Sequence, residues 1–116
     1  MKALALFVAG VLTMPALAQP VVEGPLAAID PDTPLRVRAE RCGGVVILAI
    51  SQATTPALQD ALRALTFTAM GEGGRSEDVQ AAMIAWAGAY AAPEAAPRTS
   101  RFFAEDRALC LALAAR

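Results

Sequence analysis

The chain contains no histidine, and its single lysine is Lys2. The first absence excludes Ser-His-Asp and Cys-His catalysis and the zinc sites built on imidazole. The second leaves no lysine beyond position 2 for a Schiff base or a phosphate-binding P-loop. The sequence has no Cys-x-x-Cys-His segment, so covalent c-type haem attachment is excluded. Two cysteines far apart cannot supply a four-thiolate metal site. Aromatic residues make up only 5% of the chain. There is no basic excess to grip nucleic-acid phosphates. No acidic run marks a solvated tail. These absences predict a protein without cofactor or metal, and one that is not an enzyme.

What is present begins with a tripartite N-terminal segment. Met1-Lys2 supplies one positive charge. An uncharged apolar run follows from Ala3 to Met14, and Pro15 closes it. Ala16-Leu17-Ala18 then offers small residues at the two positions a signal peptidase requires. This pattern predicts a secretory signal peptide over residues 1–18, cut between Ala18 and Gln19. The apolar run is well short of the roughly 20 residues that span a bilayer. No membrane anchor is therefore expected after cleavage. Gln19 stands where a lipoprotein needs cysteine, and no arginine pair precedes the run. The expected destination is the periplasm, or secretion beyond it. After cleavage nine arginines face eleven acids, since Lys2 is lost from the ten basic residues, giving 9 − 11 = −2.

In an oxidising compartment the two remaining thiols, Cys42 and Cys110, are expected to pair. A redox couple would sit as Cys-x-x-Cys, so the pairing reads as structural. Residues 19–33 carry Pro20, Pro25 and Pro31 with little periodicity and predict an extended leader, partly disordered. Residues 34–116 predict a helical domain. Its first helix spans Pro34 to about Ala53, capped by Thr33, with Leu35, Ala39, Cys42, Val46, Ala49 and Ala53 on one stripe. Gly43-Gly44 weakens this helix by about 2 kcal/mol relative to alanine. The run Val45-Val46-Ile47-Leu48-Ala49-Ile50 is compatible with a buried strand as well as with helix. It has no good strand partner, which favours helix. A second helix from Pro56 to about Met70 is capped by Thr55 and stopped by Gly71, with Leu58, Ala61, Leu62, Leu65 and Ala69 inward. A third starts after Ser76 with Glu77 and Asp78 in its first turn and ends at Pro93; Val79, Met83, Trp86 and Tyr90 form its stripe. A fourth starts near Arg101 behind Thr99 or Ser100 and buries Phe102, Phe103, Leu109, Cys110 and Leu113.

The resulting fold class is all-α: a four-helix up-down-up-down bundle, with one disulfide between the first and last helices. In that arrangement Gly43 and Gly44 would let those two helices approach closely enough for the disulfide. The layout is similar in architecture alone to small all-helical periplasmic acid chaperones with one disulfide. Elimination of catalytic groups and the alanine-rich amphipathic helices point to a non-enzymatic exported protein that binds another periplasmic protein, chaperone-like. One alternative is a small-ligand binder using the interior around Met83, Trp86 and Tyr90. Another is a carboxylate-dependent hydrolase, which needs two carboxylates facing one cleft roughly 5–9 Å apart. The adjacent pairs Glu77-Asp78 and Glu105-Asp106 diverge by about 100° on a helix and suit dipole capping and an ion pair with Arg38 or Arg41 better. Arg36 and Glu40 stand at helical ion-pair spacing.

Overall fold

The computed structural model describes residues 26–92 and 96–116, with the backbone alone for 96–102. The expected signal peptide, its expected Ala18–Gln19 cut and leader residues 19–25 lie outside the described residues. Four helices are present and no strand occurs among the described residues: α1 (Leu35–Gln52), α2 (Pro56–Gly71), α3 (Ser76–Ala91) and α4 (Ala96–Ala114). The disulfide joins Cys42 of α1 to Cys110 of α4, with Cα atoms 5.1 Å apart.

The apolar run from Val45 to Ile50 lies inside α1. Its continuity has a simple cause. α1 touches each of the other three helices, and most extensively α3. A helix packed on several sides needs more than one apolar stripe. Ala39, Cys42, Val45, Val46 and Ala49 are buried, and Ile47, Leu48 and Ile50 are partly buried against them. Leu35 is half-buried and Ala53 exposed, so the predicted stripe frays at both ends.

The glycine pair serves a different contact from the one its position suggested. A Cβ at Gly43 would collide with the side chain of Met83. One at Gly44 would lie 2.5 Å from Trp86 Cβ and 2.7 Å from the backbone nitrogen of Ala87. Both glycines therefore bring α1 against α3, not against α4.

The helix ends follow local chemistry with three departures from expectation. Thr55 caps α2 as predicted, its hydroxyl accepting from the Leu58 amide at 3.2 Å. Thr33 does not cap α1. Its carbonyl accepts from Arg38 Nε at 2.8 Å, and Pro34 occupies the cap position in an extended conformation. Gly71 is the last residue of α2, not its stop. The chain turns two residues later at Gly73, whose φ of 96° suits a residue without Cβ. The Gly74 amide then closes the turn on the Ala69 carbonyl at 3.0 Å. α4 begins five residues before the expected Arg101. Pro97 is its second residue, where a missing amide costs no hydrogen bond, so this proline starts the helix instead of delaying it.

Residues 26–33, the last eight of the expected leader, form a strap packed on the helices. Leu26 is buried in the core and Ile29 packs against it. Arg38 and Arg41 hold the strap through the carbonyls of Thr33 and Ala27. An Asx turn, Asp32 amide to Asp30 Oδ1 at 2.9 Å, leads it into α1.

Candidate functional site

Three helices contribute to one buried polar cluster. Arg41 of α1, Tyr90 of α3 and Asp106 of α4 meet beside the disulfide. Arg41 follows from its place one residue before Cys42, and Asp106 from its place one turn before Cys110. The Tyr90 hydroxyl donates to Asp106 Oδ2 at 2.5 Å and accepts from Arg41 Nε at 2.9 Å. Arg41 Nη2 stands 3.5 Å from the same carboxylate oxygen. The guanidinium lies over the rings of Trp86 at 5.0 Å and Tyr90 at 5.5 Å, within cation–π range. Phe103 packs edge-on against Tyr90, with centroids 6.4 Å apart. Asp106 is 1% exposed, and its Oδ1 has no hydrogen-bond partner among the described residues.

The electrostatics of the cluster favour a neutral phenol. Burial raises the Tyr90 pKa well above its ordinary value, and the hydrogen bond to Asp106 raises it further. Arg41 opposes both effects more weakly. A buried carboxylate without its cation is costly, so removing Arg41 would destabilise the fold strongly. Apart from Asp106 Oδ1, the polar groups of the cluster are thus spent on one another and on the strap. They lock three helices and an extended segment together at one end of the disulfide.

Among the described residues, two clefts open beside the strap. The larger, of about 280 Å³, lies between the strap, α1 and α4. Ile29, Pro31, Leu109 and Leu113 line it, Cys42 reaches it, and Arg38 and Arg116 are also among its walls. The smaller, of about 160 Å³, is bounded by the strap with Val37, Arg38, Arg41 and Trp86.

The sequence-derived candidates are distributed as follows. Met83 and Tyr90 are buried in the core, where Met83 fills the space over Gly43. Trp86 is partly exposed and lines the smaller cleft. Glu77 and Asp78 are exposed in the first turn of α3, and Glu77 stands 3.9 Å from Arg75. Glu105 is exposed while its neighbour Asp106 is buried, so that pair does not share an environment. The ion pair expected of Asp106 is made with Arg41, and Arg36 pairs with Glu40 at 3.4 Å. Leu109, expected inside, is 54% exposed. Among the described residues no group of three or more cysteines and carboxylates could hold a metal ion. No helix among them is long and apolar enough to cross a membrane. Sequence reasoning placed Asp106 near an arginine but missed Tyr90 as the link. The signal was a lone tyrosine on an otherwise apolar stripe, whose hydroxyl needs a partner once buried.

No family model, curated protein or solved structure matches this chain.

Proposed function

We propose that this chain is an exported, non-enzymatic helical protein that binds another protein in the periplasm, in the manner of a chaperone. The observation that carries the reading is the exposure of large apolar side chains on a disulfide-clamped frame. Phe67 is 63% exposed and Ile84 65% exposed, while Leu65 and Met83 of the same two helices are buried. Burying such a side chain on a partner contributes about 1.5–3 kcal/mol. The two buried carboxylates, by contrast, are paired, Glu40 with Arg36 and Asp106 with Arg41 and Tyr90, and a non-catalytic role is consistent with that.

Export belongs to the same reading. The N-terminal segment has the three parts of a secretory signal, and a disulfide persists in an oxidising compartment. The up-down-up-down path belongs to it too. Connections as short as residues 53–55 and 72–75 favour antiparallel neighbours. Arg38 shares a cleft with Leu113 and Arg116 while Cys42, one turn further along α1, bonds to Cys110. That register fits α1 and α4 running in opposite directions.

The mature oxidised protein should suppress aggregation of an unfolding client protein. The double substitution Phe67→Ser with Ile84→Ser should weaken suppression about tenfold or more, with the helical circular dichroism unchanged. Equal potency of the two proteins, or no suppression by either, would contradict the reading.

A further inference from the structure

We infer that the cleft between the strap, α1 and α4 is a binding site for a medium-chain carboxylate. This site does not depend on the partner-binding reading. Its walls combine two chemistries. Ile29, Leu109 and Leu113 make an apolar lining beside the disulfide at Cys42, and Arg38 and Arg116 add two cations. The cations are what gives the cleft a preference. Arg36, Arg41, Arg63 and Arg75 each stand within 4.0 Å of an acid. Arg38 and Arg116 have no acidic partner among the described residues. Arg38 spends only its Nε, on the Thr33 carbonyl, which fixes the side chain and leaves both terminal nitrogens to donate. An anionic head can therefore take charge-assisted hydrogen bonds from a preset guanidinium, with Arg116 supplying the second charge.

The volume sets the tail. At about 30 Å³ for each water-sized group, 280 Å³ accommodates roughly nine of them. A methylene is of similar size, so a tail of roughly eight to ten carbons fills the cleft. A cation would meet two like charges, and a neutral alcohol would leave both arginines without an anion.

The test is isothermal titration calorimetry of the full oxidised protein with sodium hexanoate, octanoate, decanoate and dodecanoate, each below its micelle concentration. Affinity should rise by up to about fourfold per added methylene, then level off near ten carbons. 1-Decanol should bind about tenfold more weakly than decanoate, and decyltrimethylammonium should not bind. Arg38 also holds the strap, so the head-group variant of choice is Arg116→Gln, whose side chain has no hydrogen bond or ion pair among the described residues. It should lower decanoate affinity about tenfold at unchanged thermal stability. Ala112→Trp, at an exposed position on the rim, should block the cleft and abolish binding while the circular dichroism is preserved. Absence of decanoate binding would overturn the assignment. So would equal binding of decanoate, decanol and decyltrimethylammonium, or binding that Ala112→Trp leaves intact. Capture of the protein by phosphatidylglycerol vesicles without decanoate binding would overturn it in favour of a membrane surface.

Discussion

Replacing Gly44 by alanine tests how α1 and α3 are held together. Alanine favours helix over glycine by about 1 kcal/mol, so a glycine with space around it gains stability from this change. Gly88, on α3, has that space: a Cβ there meets nothing within 4 Å. Gly44 does not. Its Cβ would stand 2.7 Å from the Ala87 nitrogen and 2.9 Å from the Met83 carbonyl oxygen, both backbone atoms of α3. Ordinary contact is about 3.5–4.0 Å, so α3 must move by roughly 1 Å. Overpacking of this kind costs about 1–3 kcal/mol. Against the propensity gain, the expected net loss for Gly44→Ala is about 0–2 kcal/mol, while Gly88→Ala gains up to about 1 kcal/mol. Gly43→Ala should fall between them, because only the flexible Met83 side chain has to yield. Urea midpoints of the oxidised and the reduced protein measure all three. Both redox forms should show the same order. If Gly44→Ala lowers stability only in the oxidised form, the glycine serves the disulfide. If it stabilises, the α1–α3 contact is wrong.

Two further predictions concern the covalent and polar locks. Cys42→Ser with Cys110→Ser opens a loop with a sequence separation of 68 residues and should lower stability by about 4 kcal/mol in urea unfolding; a loss below about 1 kcal/mol would show that the disulfide is not what limits the unfolded chain. Tyr90 is the sole tyrosine, so phenolate absorbance near 295 nm reads it alone. Its pKa is raised in the folded state, chiefly by burial and then by Asp106. Its contribution to stability is therefore complete below the unfolded value of about 10 and is lost as the pH rises through the folded value. The phenolate signal should stay low above pH of about 10 until the protein unfolds, and Tyr90→Phe should remove that part of the alkaline loss. Ordinary titration near 10 in the folded protein would place Tyr90 in solvent.

Much of the helical layout was legible because period and punctuation agreed. Thr55-Pro56 marked one start, and Leu58, Ala61, Leu65 and Ala69 marked one face. The run from Val45 to Ile50 was ambiguous for a physical reason. A helix packed against three neighbours loses the one-sided pattern that distinguishes it from a buried strand. Pro97 misled because a proline in the first turn looks in sequence like a breaker. The packing of the strap was illegible because it comes from distant partners: Arg41 reaches Ala27, and Leu26 is buried in the core. The polar lock joins residues up to 65 positions apart, and no local pattern records such a contact.

Intact-mass analysis of the protein recovered from the periplasm, with and without thiol alkylation, tests most directly whether this chain works as an exported, covalently clamped helical frame. The expected species begins at Gln19, is lighter by two hydrogens than its reduced form, and takes up no alkylating reagent before reduction. A chain that keeps residues 1–18, or one alkylated at both Cys42 and Cys110 without reduction, would contradict the account.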